Sequence, residues 1–402
     1  MQIGWIDYSK EDRKKVLSVI DLLSEDGTLD ELGVAPIRDG FANLFFPGTS
    51  TIQTRAKYFL IVPYALDMLS RQSDPGVDSM LRKLDDIELR CAKTLVASRA
   101  ERVIGSRAIA SGGWVKRPPS EIYWAGIRRY GIFTRENMSL AEYARVSGAI
   151  RKRKLDVKKL GNRNDDAGEF ESDDADAGSL YSTTFWNLPY YSEDWMDTLK
   201  MRLTPDEAVF LKSQIESSQS DSMFSHILKN NMRNITKLNS FYEFGESNAI
   251  GLFSEQLQKD QMMALAFSRF FFGAIVRYNV ILSEGKNQKA NKEWEDFRAN
   301  MADYASLDIE PVLAGLDITN PTLRLFLNNV KTKMLSDDIP ALDECIRSRE
   351  VSLKGPTRAK LNHAGEFRVD TWAGGGRLDY RFSNAMTIAR DIFQGLDGGA
   401  DV

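Results

Sequence analysis

Cysteine and histidine are almost missing from this chain: in 402 residues there are two of each, Cys91, Cys345, His226 and His363. Two cysteines so far apart argue against a disulfide framework or a paired-cysteine zinc cluster, and they fit a reducing cytoplasm. Two histidines leave at most two imidazole candidates for general-base work, each more commonly a structural or surface residue. The phosphate-binding Gly-x-x-x-x-Gly-Lys-Ser/Thr loop, the dinucleotide Gly-x-Gly-x-x-Gly turn, the His-Glu-x-x-His helix and the Gly-x-Ser-x-Gly elbow are all absent. Gly374 to Gly376 alone is too short to cradle a phosphate. From this inventory no catalytic residue, metal or cofactor is expected. Charge excess is lacking too: a formal net charge of −4 argues against polyanion binding by the surface as a whole, though not by a local patch. The segment Met1-Gln2-Ile3-Gly4-Trp5-Ile6-Asp7 has no basic stretch followed by an apolar one, so no secretory signal is expected.

What is present begins with one long apolar stretch, residues 260–284. Met262, Leu265, Phe267, Phe270, Phe271, Phe272, Ile275, Val276, Tyr278, Val280 and Ile281 cover every direction around a helical repeat, which is the pattern of a buried helix. Arg269 and Arg277 lie inside it and would be expensive at bilayer depth, so it reads as the central core helix of a soluble domain with no membrane contact. Each guanidinium then needs a carboxylate or several carbonyls beside it. Elsewhere the periodicity predicts helices over 10–24, 36–46, 78–100, 120–130, 139–150, 206–216, 223–231, 289–305, 321–335 and 383–394. The fold class is therefore mainly α, with a small β element at Leu378-Asp379-Tyr380-Arg381-Phe382.

The clearest chemical signal is positive charge of local origin. Between Arg90 and Lys154 the cations number fifteen, against Glu101, Glu121, Glu136 and Glu142 alone. Interleaved aromatics, Trp114, Tyr123, Trp124, Tyr130, Phe133 and Tyr143, sit in two short predicted helices that could form a helix-turn-helix type unit. Arg128, Arg129, Arg151, Lys152, Arg153 and Lys154 are the expected phosphate contacts; the bland reading is a solvated or internally paired basic face. A second, weaker anion seat is expected at Phe46-Pro47-Gly48-Thr49-Ser50-Thr51, where three hydroxyls would meet a helix N-terminus bearing Arg55 and Lys57; the bland reading is an ordinary helix cap.

Residues 164–178 are acidic and poor in apolar side chains, so 156–180 reads as a flexible linker between a helical N-terminal domain, 1–155, and a helical C-terminal domain, 181–402. The aromatic cluster Phe185, Trp186, Tyr190, Tyr191 and Trp195 opens the second half and suits packing between domains or, in an adaptor, docking of a partner. Arg347, Arg349, Lys354, Arg358, Lys360, His363 and Arg368 form a second basic patch. Glu350 with Lys354, and Glu366 with Asp370, are fragments of what a metal-dependent nuclease would need.

The stretches Gly4-Trp5-Ile6-Asp7-Tyr8-Ser9, Pro36-Ile37-Arg38-Asp39, Phe46 to Arg55 and Leu378-Asp379-Tyr380-Arg381 resemble a bacterial family catalogued as a domain of unknown function, DUF6361. The resemblance names no catalytic residue. It implies a place among bacterial antiviral defence genes, beside helicases, nucleases or phospholipase-D-like proteins. Together these readings lead to a cytoplasmic, mostly helical accessory subunit that touches DNA or RNA through 90–154 and leaves catalysis to partner proteins. A nuclease using the C-terminal carboxylates and a protein-docking adaptor or phage sensor are the alternatives.

Overall fold

The computed structural model describes residues 30–71, 77–161 and 185–398. The predicted helix 10–24 and acidic stretch 164–178 lie outside the described residues. In chain order the helices are α1 (Ala35–Phe45), α2 (Tyr58–Ser70), α3 (Val77–Ala97), α4 (Ser106–Ala110), α5 (Pro119–Arg129), α6 (Leu140–Gly161), α7 (Pro205–Ser218) and α8 (Met223–Lys229). They continue with α9 (Phe241–Gly245), α10 (Glu255–Leu282), α11 (Gln288–Arg298), α12 (Met301–Ala305), α13 (Ile309–Gly315), α14 (Pro321–Leu335), α15 (Ile339–Lys354) and α16 (Phe382–Leu396). The protein is mainly helical, and among the described residues the sole β pairing is an isolated bridge between Phe133 and Trp186. The predicted strand at 378–382 is instead a turn leading into α16. Tyr380 and Arg381 hold left-handed φ of 49° and 64°, which no strand tolerates, and the Tyr380 hydroxyl donates to the Ala264 carbonyl at 2.6 Å.

By contacts the described residues divide into two units that do not follow chain order: those within 47–236 together with 384–398 form the first, 30–46 and 237–383 the second. In the first unit α2 is the hub. Tyr-Phe-Leu-Ile-Val-Pro-Tyr-Ala-Leu buries nearly every side chain, and the helix runs through Pro63 without ending because packing by α3, α5 and α6 holds it on its sides. Gly126 allows α5 its close approach: a Cβ there would meet the Gly48 carbonyl at 2.3 Å and the Phe59 ring at 2.7 Å. Helices α5 and α6 are separated by residues 130–139, too long a connection for the tight turn of a helix-turn-helix. α6 itself runs on to Gly161, its Arg, Lys and Leu residues being good helix formers.

In the second unit the hub is α10. Ser254 caps its start by accepting from the Leu257 amide. By length and composition α10 is apolar enough to cross a membrane, but 83% of its most apolar window is buried in the protein. Its two arginines are half-buried rather than in the core, and each meets a carboxylate: Arg277 Nη2 donates to Asp343 at 2.6 Å and lies 5.2 Å over the Trp294 ring, and Arg269 pairs with Glu246 while resting on Tyr242. Phe41, Phe45, Phe241, Phe244, Tyr380 and Phe382 pack ring on ring at the other side of the core.

Candidate nucleic-acid interface

The predicted phosphate contacts separate into engaged and presented side chains. Arg128 is buried at 8% exposure, and its Nη1 donates to the Glu136 carbonyl at 3.0 Å. Arg151, 7% exposed, donates from Nη1 to the Leu69 carbonyl at 2.6 Å. Both tie their helices to neighbouring backbone and are not available to a ligand. Arg129 is exposed, and its Nε donates to Gln219 at 3.0 Å. Lys152 is exposed and shares one face of α6 with Arg145 and Ala149, which the i, i+4, i+7 spacing places in a row. The backbone of Arg153 and Lys154 belongs to α6; their side chains lie outside the described residues.

The anticipated anion seat is filled by the protein itself. Helix α2 starts at Tyr58 behind Lys57, so Thr49, Ser50 and Thr51 lie in the preceding loop and not at its N-terminus. Asp391 occupies that end: its carboxylate accepts the Ala56 amide at 2.8 Å and Arg55 Nε at 2.9 Å. Burial pushes the Asp391 carboxyl up, while Arg55 pulls it back. Lys57 is 6% exposed and its Nζ sits 2.6 Å from both oxygens of Glu207. Ser50 donates its amide to Gln53, Thr49 is buried, and the Thr51 carbonyl accepts from Asn384. The negative charge beside Arg55 is therefore a carboxylate of this chain, 336 residues away in sequence.

Residues 98–118 make an open cationic segment. Arg99, Arg102, Arg107 and Lys116 are exposed, Arg117 is half-buried, and the segment's own acid is Glu101 alone. Four contacts fix this irregular stretch. The Ile104 amide donates to the Tyr58 hydroxyl at 2.9 Å, Arg55 reaches the Glu101 carbonyl at 3.3 Å, Arg102 donates to Thr387 at 2.8 Å, and Trp114 Nε1 donates to Asp85 at 2.7 Å. Gly105, at φ 81°, leaves no room for a Cβ under Trp114, which would stand 2.6 Å away. The cations thus stand on a pre-set frame and not on a loose loop. Sequence reading favoured consecutive runs such as Arg128-Arg129; the missed signal was the Ser and Gly punctuation of 98–118, which keeps the chain at the surface.

Beside Arg129 lies a groove of about 470 Å³ lined by Thr134, Glu136, Asn187, Ser218 and Gln219. It is polar rather than strongly positive. Helices α5 and α7 both end there, and Arg128 and Arg129 offset the negative end of α5.

The second predicted basic patch is engaged within its own unit. Arg349 donates to the Leu32 carbonyl at 2.9 Å and lies over Phe326, Arg347 donates to the Leu361 carbonyl, and Arg368 pairs with Asp370. Glu350, fully buried, accepts from Tyr278 at 2.7 Å, Lys354 at 2.9 Å and the Lys360 and Leu361 amides at 3.1 and 3.0 Å. Glu31 takes Lys360 at 2.6 Å and Lys354 as well. Among the described residues no group of three or more His, Cys, Asp or Glu is placed to hold a metal ion. The aromatic cluster is internal to the first unit: Trp186 donates to the Tyr143 hydroxyl at 3.0 Å, and Trp195, 6% exposed, packs edge-on against Tyr64. Tyr190 alone of that cluster stands out, at 92% exposure.

A mainly helical protein with a framed cationic segment is the class these features define. Residues 1–157 match a family of unknown function, DUF6361, the family the sequence resembles. No curated protein and no solved structure matches the chain.

Proposed function

We propose that the protein is a non-catalytic subunit that contacts nucleic acid through the first unit, leaving catalysis to partner proteins. The observation that carries this reading is the 98–118 segment, where Arg99, Arg102, Arg107 and Lys116 face solvent on a fixed frame with one acid among them. Cations held in place lose little freedom on meeting a phosphate backbone, and their partner must carry many negative charges to engage several at once. Arg145 and Lys152 on α6 extend the cationic surface. The resemblance to a family found among bacterial defence genes supports a role in such a system beside a helicase or nuclease.

The test is binding of the full chain to labelled DNA and RNA at several salt concentrations, with magnesium in half the samples and the products run on a gel. Wild-type binding weakens steeply with salt, and the combined R99E, R107E and K116E variant flattens the slope of log K against log salt by about 2 to 3, as loss of three phosphate contacts requires. An unchanged slope overturns the assignment to 98–118. Magnesium-dependent cleavage replaces the reading with a nuclease.

A further inference from the structure

We infer that the nucleic acid this protein takes is single-stranded, with one base stacking on Tyr190 and the edge of a neighbouring base entering the groove beside Asn187; this rests on the function proposed above. A tyrosine at 92% exposure is unusual because its ring gains nothing from water, and here the chain on both sides is anchored. Before it, the Thr134 amide donates to the Phe185 carbonyl at 2.8 Å, the Asn187 amide to the Ile132 carbonyl at 2.8 Å, and Asn187 Nδ2 to the Gly131 carbonyl at 2.8 Å. After it, Tyr191 stacks on Tyr64 with ring centroids 4.3 Å apart and donates to Asp67, while Trp195 closes against the same Tyr64. The backbone between these anchors is therefore held in place and presents the ring outward as a platform.

The groove gives the platform its ligand class. Asn187 stands three residues from Tyr190, at most about 11 Å along an extended chain, and lines the groove with Thr134, Ser218 and Gln219. Arg71 lies over the neighbouring Tyr191 and has its charge answered by Asp67. Amides and hydroxyls in a groove with one exposed arginine and one glutamate suit the donors and acceptors of a base edge better than a phosphate. A duplex keeps its bases stacked and paired; only a single strand can offer a face to Tyr190 and an edge to the groove together.

The experiment compares fluorescein-labelled oligo-dT, oligo-rU and a duplex of equal length, bound at two salt concentrations by the full-length wild type, Y190A, Y190W and the R99E/R107E/K116E variant. Y190A is expected to lose about five- to a hundredfold in affinity for the single strands, as removal of one stacked base implies, while its duplex affinity and salt slope stay unchanged and its Tm matches wild type. Y190W restores single-strand binding, and its emission is quenched by bound oligonucleotide. Single-strand affinity unchanged in Y190A, or lost equally for the duplex, overturns this inference and leaves the proposed function standing if the charge-reversed variant is still weakened. Wild type that binds none of the probes overturns both.

Discussion

Two stretches of this chain are similarly rich in cations, 98–118 and 347–368, and they fare differently. In the first, four of five cations are exposed, one of them, Arg102, also donating to Thr387. In the second, Arg347 and Arg349 end on backbone carbonyls and Lys354 and Lys360 on Glu31, while Arg358 and Arg368, beyond α15, are exposed and hold the Lys354 carbonyl and Asp370. What differs is the local structure that carries them. The 347–368 cations begin on α15, whose Leu342, Ile346 and Arg349 side is buried, so a cation on that side must be paired or lose its hydration without return. The 98–118 cations sit on turns and one five-residue helix with no buried residue, where nothing compels a partner. A cation count measures neither; only the surroundings separate a structural charge from one offered to a ligand.

That contrast can be tested by removing charges and comparing stability with binding. The largest effect is expected from E350A, which leaves the Tyr278 hydroxyl, Lys354 and two amides without their acceptor; a loss of about 3 to 5 kcal/mol is expected for breaking a buried charged network, read from urea denaturation. R349M follows, at about 2 to 3 kcal/mol, for a charge-assisted bond to the Leu32 carbonyl and the packing on Phe326. If either variant is as stable as wild type, the second stretch is not structural and the contrast fails.

A pH dependence sharpens the picture of the frame beneath 98–118. Glu88 on α3 accepts the Ser120 amide at 2.6 Å and the Ser120 hydroxyl at 3.0 Å at the start of α5, and burial pushes its carboxyl up to about 8. Because the folded state holds this proton more tightly than the unfolded chain, stability contributed by the neutral acid is full below pH 4.5 and is lost as pH rises to about 8. E88Q keeps an acceptor for Ser120 without ionising. It should be level with wild type at pH 5 and more stable at pH 8.5, by thermal denaturation; parallel curves would show that Glu88 does not titrate in this range. The smallest effect on stability is expected from R99E/R107E/K116E, within about 0.5 kcal/mol of wild type as for exposed residues generally, although it is the variant that most weakens nucleic-acid binding. A large drop in its Tm would mean that these cations too are structural.

Much of the helical layout was legible because its causes are local. Thr204-Pro205-Asp206-Glu207 has the residue types of a capping box at the start of the predicted helix 206–216, and the structure forms the box in full, with Glu207 returning to the Thr204 amide at 2.8 Å. The same glutamate also takes Lys57, 150 residues away, and nothing in its neighbourhood foretold that. The strand expected at 378–382 failed for a similar reason: its alternating pattern was real, but Tyr380 is held by α10 and Arg381 by Asp39 and Asn43. What was legible of the candidate site was the local excess of cations in 90–154, and not which of those cations face solvent. Arg128 and Arg151 were chosen for lying in dense runs, and those runs are helical, so one face of each had to turn inward.

By itself the amino-acid order determined the mainly helical class, the apolar hub helix α10, the caps that begin several helices and the need of Arg269 and Arg277 for a carboxylate or several carbonyls. Periodicity, capping and desolvation act within a few residues or on a single side chain, and a linear sequence displays them. The tertiary structure decided which carboxylates answered, Glu246 and Asp343, that Asp391 would fill the anion seat at α2, and which cations were left facing water. Those outcomes depend on which distant segments meet, because burial removes the hydration of a charge and only packing across the chain determines where burial falls.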